Sequence, residues 1–261
     1  MSLLICAGLD PSGGAGLIAD VRVATACGVR PVGVVTALTV QNTTGVTAYT
    51  AVDESTLRDQ LDFLLLDVEV RAVKVGMLGS PGVATQLGKA LELTAAPLVW
   101  DPVFGPSRGT VSFAQGSLDL PLAALLPHLT LVTPNRFELQ LFAGRELRDE
   151  AAQVEAAQQL AARWDAAVLV KGGHRADDTA PDDRTEIVDW VVTATSREAL
   201  RGPRVPGGEH VHGTGCALST AIAAHLARGL PLVEACRAAK AFVAARIAAP
   251  VHPGRGAGAV V

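Results

Sequence analysis

Residues 210–216 read His210-Val-His-Gly-Thr-Gly-Cys216, and they run directly into the segment Ala217–Arg228. In that segment Leu218, Ile222 and Leu226 recur every four residues, which predicts a helix with an apolar stripe along one side. A glycine loop at the start of a helix leaves several backbone N–H groups unpaired, with the positive end of the helix dipole behind them. The stretch therefore predicts an anion-binding site, with a cysteine in the first turn of the helix.

The composition is that of a folded protein. Of the 261 residues, 49% are hydrophobic and 18% are charged, which excludes a disordered chain. The formal net charge of −4 provides no basic face, so we expect no nucleic-acid partner. The four cysteines lie far apart and form no C-x-x-C pair, a spacing typical of reduced thiols rather than of disulfides or a zinc site.

No targeting or membrane segment is expected. The apolar segment Met1–Leu9 contains no basic n-region and is followed at once by Asp10, so we interpret it as a strand rather than a signal peptide. The longest charge-free stretch, Pro31–Val52, contains several threonines together with Gln41 and Asn42, which excludes a membrane span. These observations predict a cytoplasmic protein.

Short apolar runs alternate with helical patterns along the chain. Such alternation predicts a mostly parallel sheet covered by helices on both faces, and no change of composition marks a second domain. We therefore predict one α/β domain over residues 1–261, a three-layer α/β/α sandwich, with an irregular tail from Pro250 onward. The predicted strands are Leu3–Gly8, Gly33–Val40, Ala72–Val75, Leu98–Trp100, Thr130–Thr133, Ala167–Val170 and Glu186–Thr195. The other predicted helices are Leu17–Cys27, Glu54–Leu66, Pro81–Leu93, Leu118–Leu126, Arg136–Ala143, Glu150–Trp164 and Leu232–Ile247.

Several residues, most of them polar, stand at the ends of the predicted strands. In parallel α/β sheets, ligands bind outside the carboxyl ends of the strands. We therefore expect these residues to meet at one edge of the sheet. They are Asp10, Gln41, Met77, Asp101, Asn135 and Lys171.

Two common nucleotide-binding motifs are incomplete. The segment Gly14–Ala19 matches the G-x-G-x-x-A form of a dinucleotide loop, but that fold also needs an acidic residue about twenty positions later, and Pro31–Val52 contains none. A P-loop is excluded because Gly82–Ala90 has one residue too many between its glycines and lacks the required Ser or Thr. If the chain binds ATP, it uses a different arrangement.

Cys216 allows three interpretations. Cysteine is a common small buried residue, so a packing role is open. At a helix N-terminus its pKa is expected to fall, which would favour a reactive thiolate. It could also be a nucleophile paired with His212 in an acyl-transfer enzyme, which would need a third orienting group. The glycines around it favour a functional role, whereas His210 and His212 have no third ligand nearby for a metal.

Two further motifs have both a structural and a functional interpretation. The segment Lys171-Gly-Gly-His174 follows a predicted strand and is either a solvated turn or a phosphate contact. Together with the separate anion loop, it indicates a polyphosphate held from two sides. Asn135 and Glu138 have the spacing of a helix capping box, which by itself would explain them.

These motifs follow one another in a recognisable order. They are Ala7-Gly-Leu-Asp-Pro-Ser-Gly-Gly-Ala-Gly16 with Ala19-Asp20, Thr36-Ala-Leu38 with Gln41-Asn-Thr43, Lys74-Val-Gly-Met-Leu78, Asp101-Pro-Val103, Thr133-Pro-Asn135 with Glu138, Lys171-Gly-Gly-His174 and His212-Gly-Thr-Gly-Cys216. Over nearly its whole length the chain resembles the hydroxymethylpyrimidine/phosphomethylpyrimidine kinases of thiamine biosynthesis, which belong to the ribokinase-like superfamily.

The resemblance implies an ATP- and Mg²⁺-dependent kinase that phosphorylates hydroxymethylpyrimidine and its monophosphate. It implies that Gln41 hydrogen-bonds the aminopyrimidine and that Cys216, which stands where sugar kinases have an aspartate base, accepts the hydroxyl proton. Such chemistry needs mainly positioning and charge stabilisation from the protein. The resemblance further assigns the pyrimidine pocket to Gly8, Asp20, Met77 and Val103, the anion hole to Gly213, Thr214 and Gly215, ATP binding to Lys171, Asn135 and Thr214, and Mg²⁺ binding through water to Asp101 and Glu138. We also expect a homodimer.

Three departures from the family pattern concern lid closure and nucleotide contacts. After Val103 the chain reads Phe104-Gly-Pro-Ser-Arg-Gly109, so Arg108 is expected to replace a lysine of the lid. His210-Val211 replaces Asn-Thr, and a C-terminal Gly-His-Gly-Pro signature is missing. The type of reaction is unaffected by these changes.

Three alternatives to this function stay open. The first is a pyridoxal or pyridoxine kinase, which has the same fold, although Gln41 beside Met77 favours the aminopyrimidine. The second is an acyl-transfer enzyme that uses Cys216 and His212. The third is a non-catalytic nucleotide-binding protein.

Overall fold

The computed structural model describes residues 1–105, 119–172 and 185–261. The strands in these ranges are β1 (Ser2–Leu9), β2 (Arg30–Asn42), β3 (Gly45–Ala51), β4 (Val70–Val75), β5 (Leu98–Trp100), β6 (Leu129–Val132), β7 (Ala167–Val170), β8 (Glu186–Val192), β9 (Arg197–Pro203), β10 (Val211–His212) and β11 (Gly258–Ala259). The helices are α1 (Gly16–Ala26), α2 (Glu54–Asp67), α3 (Pro81–Leu91), α4 (Asp119–Leu125), α5 (Arg136–Ala143), α6 (Glu150–Trp164), α7 (Thr214–Ala227) and α8 (Leu232–Ile247).

The central sheet is mostly parallel, as predicted. Its nine strands lie in the order β3-β2-β1-β4-β5-β6-β7-β8-β9. Neighbouring strands from β2 through β7 are parallel, while β3, β8 and β9 pair in the antiparallel direction. From β1 the chain builds first toward β3 and later toward β9, so the strand order reverses between β1 and β4. A ligand cleft is expected at this switch point, outside the carboxyl ends of the strands.

Helices cover both faces of the sheet. Strand β1 alternates between the two cores: Leu4 and Cys6 pack in one, whereas Leu3 and Ile5 pack in the other. The first core contains apolar residues of α2 through α6, and the second contains those of α1, α7 and α8. Because side chains alternate between the faces of a strand, one apolar run supplies both cores. The predicted three-layer sandwich is therefore confirmed.

Helix α7 is more enclosed than its sequence pattern predicts. Its residues from Ala217 to Ala224 are all buried, including Ser219 and Thr220, although a single apolar stripe was expected. The helix packs against α1 and α8 as well as against strands of the sheet. The many alanines allow this close approach, because small side chains let neighbouring backbones come together.

Four strands, β3, β9, β10 and β11, were not predicted from the sequence. Strand β3 combines small residues with threonines and one tyrosine at one sheet edge, and β9 carries charged residues at the other edge. Charged and polar side chains are common on edge strands, where they prevent pairing with other chains. Such strands lack the apolar run that marked the buried ones.

The tail after Pro250 is also more ordered than expected. In it β11 pairs in parallel with β10, and Val251 forms a bridge with Ala259. Ala259 and Val260 are buried. The prediction of an irregular tail is therefore wrong for this segment, since its small residues pair with a strand that is distant in sequence.

Among the described helices, none combines the length and apolar character needed to cross a bilayer.

Candidate active site

A cleft with an empty volume of about 830 Å³ opens at the carboxyl ends of the parallel strands. The structure brings together there all the residues that the sequence places at strand ends. Asp10, Gln41, Met77, Asp101, Asn135 and Lys171 line this cleft. Also in the lining are Gly8, Val103, Glu138, Gly213, Gly215 and Cys216, each a predicted site residue.

The anion loop lies at the start of α7. Gly213 precedes the helix with a φ of 79°, a left-handed conformation that glycine adopts without strain. A Cβ atom at this position would lie 2.1 Å from the carbonyl oxygen of Gly14, so the two glycine loops touch. A Cβ atom on Gly215 would lie 3.5 Å from Lys171 Nζ and 3.8 Å from Asp101 Oδ2. The positive end of α7 and the ammonium of Lys171 therefore face the same space.

Lys171 and Asp101 form an ion pair at the edge of this space. Lys171 Nζ lies 3.3 Å from Asp101 Oδ1, which also accepts a hydrogen bond from Thr133 Oγ1 at 3.1 Å. Ser219 Oγ lies 3.4 Å from Asp101 Oδ2. Burial opposes the charge on Asp101, but Lys171 and then Lys74 outweigh it and hold the pKa of Asp101 below its ordinary value. Asp101 is therefore ionised at neutral pH.

A second ion pair lies deeper. Lys74 Nζ is 2.5 Å from Asp20 Oδ2, and both side chains are 0% exposed. Thr220 Oγ1 donates to Asp20 Oδ1 at 2.7 Å. Burial alone would lower the pKa of Lys74, but the Asp20 carboxylate raises it above its ordinary value, so the ammonium stays charged.

The predicted pocket residue Asp20 does not line the cleft, whereas Lys74 does. The physical reason is that Asp20 is enclosed behind Lys74 in a fully buried ion pair. Thr214, predicted for the anion hole, is also outside the lining; it begins α7. Asp20 can act on a substrate only through the lysine that it holds.

Cys216 differs from its expected ionisation. Burial raises the pKa of the thiol to about 12, while Lys74 opposes the shift. Asp101 and Asp20 add negative charge nearby and raise the pKa further. The prediction of a depressed pKa is therefore wrong, because burial and these carboxylates outweigh the helix N-terminus.

Both interpretations of Asn135 and Glu138, the structural one and the functional one, agree with their positions. Asn135 Oδ1 accepts from the backbone N–H of Glu138 at 2.9 Å, and Glu138 Oε2 accepts from the backbone N–H of Asn135 at 2.7 Å. They form the capping box of α5 and also line the cleft. Burial raises the pKa of Glu138 to about 7, with Lys171 acting in the opposite direction. Glu138 is thus partly protonated near neutral pH.

The opposite wall of the cleft is built around Gln41. Gln41 Nε2 lies 3.4 Å from His212 Nε2, and His212 Nε2 lies 3.8 Å from Asp10 Oδ2. Asp10 accepts hydrogen bonds from the backbone N–H groups of Ser12 at 2.8 Å and Ala15 at 3.0 Å. His212 is therefore engaged with Gln41 and Asp10 rather than with Cys216, which argues against an acyl-transfer pair.

Two polar residues of the cleft were not predicted as site residues from the sequence. They are Thr39 and Lys74, and the contact of His212 with Gln41 was likewise not predicted. Lys74 carried a usable signal, because a lysine inside an otherwise apolar buried strand needs a partner for its charge. Thr39 carried none.

Two predicted positions, Arg108 and His174, lie outside the described residues, as do residues 106–109 of the expected lid. Among the described residues, no group of three or more His, Cys, Asp or Glu side chains is arranged to hold a metal ion. Asp101 and Glu138 are therefore two carboxylates beside a lysine and not a complete protein-only metal site.

Comparisons with known proteins agree with this geometry. A protein-family model described as phosphomethylpyrimidine kinase matches residues 10–261. The chain is 37% identical to a hydroxymethylpyrimidine/phosphomethylpyrimidine kinase of Rhizobium meliloti, over 98% of this chain and 95% of that protein.

Solved structures share the fold. One is a Staphylococcus aureus pyridoxal kinase in complex with ADP, with a TM-score of 0.86, 27% identity and coverage of 100% of this chain and 92% of the other. Another is a phosphomethylpyrimidine kinase of Clostridium difficile, with a TM-score of 0.79, 28% identity and coverage of 95% of this chain and 99% of the other. On the family match and the full-length relatives, the chain is a phosphotransferase that belongs to the phosphomethylpyrimidine kinase family, with a ribokinase-like fold.

Proposed function

We propose that this protein transfers the γ-phosphoryl group of ATP to 4-amino-5-hydroxymethyl-2-methylpyrimidine and then to the monophosphate, in thiamine biosynthesis. The observation that carries the proposal is the cleft itself. The start of α7, the ammonium of Lys171 and the amide of Gln41 all open onto one space. Phosphoryl transfer needs the substrate hydroxyl held next to the γ-phosphoryl group, which an anion site and a ring-recognition site in one cleft can provide.

The residues of the anion end neutralise charge. The backbone N–H groups of Gly213, Thr214 and Gly215 stabilise the phosphoryl group as its charge spreads over its oxygens. Lys171 binds the ATP phosphates, and Asn135 supports the nucleotide. ADP and AMP-PCP complexes of Staphylococcus aureus pyridoxal kinase support the use of ATP by this fold.

The carboxylates Asp101 and Glu138 fit a role toward Mg²⁺. Mg²⁺ keeps several of its waters and is commonly bound by one or two carboxylates plus substrate phosphates. Within the described part of the chain these two carboxylates have no third acidic partner, which suits that arrangement and not a dry protein cage. When bound, the ion would neutralise charge on the triphosphate.

The residues at the other end bind the ring. Gln41 hydrogen-bonds the aminopyrimidine, and Gly8, Met77 and Val103 shape its pocket. A Cβ atom on Gly8 would lie 3.0 Å from Met77 Sδ, so Gly8 leaves room for that methionine. Asp20 contributes through Lys74, which lies on the floor of the cleft.

Cys216 is the base in this proposal. The substrate hydroxyl oxygen bonds to the γ-phosphorus, the bond between that phosphorus and the bridging oxygen breaks, ADP leaves and the hydroxyl proton moves to the Cys216 sulfur. Only the thiolate can accept that proton. The pKa of the thiol is about 12. At any pH below that value, the thiolate fraction increases about tenfold for each unit by which the pH is raised. Lys74 is the cation that favours the thiolate.

Replacement of the cysteine tests the base. Cys216→Ala should lower kcat by about 10²- to 10⁴-fold, the usual contribution of a positioned base, and leave the KM for ATP nearly unchanged. Cys236→Ala is the matched control, because Cys236 is buried in α8 and lies outside the cleft lining. An unimpaired kcat in Cys216→Ala would exclude the role.

A substrate panel tests the function. We expect the highest kcat/KM with the aminopyrimidine alcohol and its monophosphate, and lower values with pyridoxal and pyridoxine. The pyridoxal kinase alternative is favoured by one observation, the TM-score of 0.86 to the Staphylococcus aureus enzyme. A higher kcat/KM for pyridoxal would replace our assignment, and ATP binding without turnover of any alcohol would indicate a non-catalytic protein.

The assembly and location are part of the same proposal. We propose a cytoplasmic homodimer that acts on small molecules and binds no nucleic acid. Sedimentation velocity at several protein concentrations tests the dimer, because a monomer at all concentrations would contradict it.

A further inference from the structure

The amide of Gln41 is held from two sides. Thr39 Oγ1 lies 3.3 Å from Gln41 Oε1, and His212 Nε2 lies 3.4 Å from Gln41 Nε2. A side-chain amide has two lone pairs on its oxygen and two hydrogens on its nitrogen. The His212 contact occupies one position at the nitrogen, and the Thr39 contact occupies one position at the oxygen. One acceptor position and one donor position therefore remain side by side for a ligand in the cleft.

The two contacts are unequal. The Thr39 hydroxyl has a single hydrogen, and the carbonyl oxygen of Leu9 accepts it at 2.8 Å, a shorter distance than that to Gln41. The hold of Thr39 on the amide is therefore weak. The orientation of the Gln41 amide, that is, which end is the nitrogen, therefore depends mainly on His212.

His212 is itself fixed in place. Its Nε2 lies 3.8 Å from the carboxylate of Asp10, which two backbone N–H groups hold. A Cβ atom on Gly14 would lie 3.0 Å from His212 Cδ2, so the ring rests against the glycine loop. The direction of the contact with Gln41 follows from the tautomer of His212, because only an Nε2 that carries a lone pair accepts from the amide nitrogen. A hydrogen on Nε2 would require the amide to invert.

The tail keeps the two partners at this separation. His212 is in β10, which pairs with β11 of the tail. Thr43, just beyond the strand that contains Gln41, accepts from the backbone N–H of Ala257 at 3.1 Å, and its Oγ1 accepts from that of Gly256 at 3.1 Å. One segment thus anchors both sides of the contact.

Inversion of the amide would exchange the donor and the acceptor that face the ligand. An aminopyrimidine presents an amino donor next to a ring-nitrogen acceptor, and it can pair with the amide in one order only. We propose that His212 is a positioning residue that fixes the amide of Gln41 and so makes the cleft select a ring with an amino group beside a ring nitrogen. This inference rests on the proposed contact of Gln41 with the substrate.

The test compares two substrates in one variant. In His212→Ala the KM for the aminopyrimidine alcohol should rise about tenfold, which corresponds to the loss of one hydrogen bond's net contribution. The KM for ATP and the KM for an analogue without the amino group should change less than about twofold, within the error of such comparisons. His210→Ala is the matched control, since its side chain is 77% exposed and contacts Glu209. It should behave like the unmodified protein.

A double-mutant cycle tests whether His212 acts through Gln41. In a Gln41→Ala background, His212→Ala should add nothing to the KM, because no amide remains to be fixed. His212→Gln, which keeps a hydrogen-bonding group, should recover part of the discrimination. Near-UV circular dichroism of each variant verifies folding, and the Gln variant serves if the Ala variant does not fold.

The results distinguish the positioning role of His212 from the proposed contact between Gln41 and the pyrimidine. Equal losses for both substrates, or additive effects in the cycle, would overturn the role of His212. A Gln41→Ala variant with an unchanged KM would instead overturn the proposed contact between Gln41 and the pyrimidine.

Discussion

Two lysine–aspartate pairs in the described part of the site use the same chemistry at different depths. Lys74 and Asp20 are 2.5 Å apart with both side chains 0% exposed, whereas Lys171 and Asp101 are 3.3 Å apart and are 14% and 5% exposed. In the fully buried pair, the ammonium of Lys74 stays with the Asp20 carboxylate. A pair at the cleft wall can give its ammonium to a phosphate. Depth therefore separates a lysine that its aspartate holds in place on the floor of the cleft from one whose ammonium is free to face the phosphates.

The elements around each pair explain the difference. Asp20 is in α1, Lys74 in β4 and Thr220 in α7, so the inner pair joins two helices of one layer to the sheet. Lys171 and Asp101 both follow strand ends, where the sheet stops and the cleft begins. The inner pair is complete when the chain has folded, and the outer pair is completed by a ligand.

Removal of the inner lysine should have the largest effect. Lys74→Met leaves the Asp20 carboxylate buried without its cation, and breaking a buried pair typically costs about 3–5 kcal/mol. Urea unfolding followed by circular dichroism measures this loss. The double variant Lys74→Met/Asp20→Leu should recover much of the stability, because neither charge remains. A stability of Lys74→Met equal to that of the unmodified protein would contradict the inner pair's structural role.

Removal of the outer lysine should affect catalysis more than stability. Lys171→Met is expected to lower kcat/KM for ATP about 100-fold, since it removes a cation aimed at the phosphates. Its unfolding free energy should fall by less than that of Lys74→Met, because Asp101 keeps its contacts with Thr133 and Ser219. Lys89→Met on the exposed side of α3 is the control. If Lys171→Met lost stability without losing ATP turnover, the two pairs would not differ as described.

The threonines beside the two aspartates sharpen the comparison. Thr220→Val removes a fully buried donor to Asp20, so we expect a loss of about 1.5–3 kcal/mol, the usual range for a hydrogen bond to a charged group. Thr133→Val should cost less, since its bond to Asp101 is longer and other donors remain. Thermal unfolding of both variants, side by side, decides the order. The reverse order would place the tighter network at the cleft wall.

Glu138 should give the smallest effect, a pH dependence. Because its pKa is raised to about 7, the carboxylate is mostly protonated below that pH and becomes charged above it. The apparent affinity for Mg²⁺ should therefore increase a few-fold between acidic and mildly alkaline pH. Glu138→Gln should show a flatter profile, because its amide does not titrate. Identical Mg²⁺ profiles in the two proteins would exclude Glu138 from the Mg²⁺ site.

Local patterns predicted most of the scaffold. The bounds of α8 and β7 agree with the predicted ranges, because apolar periodicity and flanking Gly and Pro residues are local signals. The convergence of Asp101, Asn135 and Lys171 followed from a general rule on parallel sheets. None of these inferences required knowledge of a distant contact.

The errors came from contacts between distant parts of the chain. The pKa of Cys216 depends on its burial and on Asp20 and Asp101, which lie far away in sequence, and only the helix-start argument was local. The enclosure of Asp20 likewise depends on Lys74 and Thr220. Strand β11 was invisible because a two-residue pairing has no periodicity.

The pairing of β10 with β11 also constrains when the site can be completed during synthesis. All other strands of the described chain leave the ribosome before Gly258 and Ala259 do, so the central sheet can form while the loop before α7 still lacks its partner strand. Contacts of large sequence separation form late, since the chain must first be ordered between them. The nascent chain can thus form the central sheet before the tail braces the Gln41–His212 wall and completes the second core with Val260.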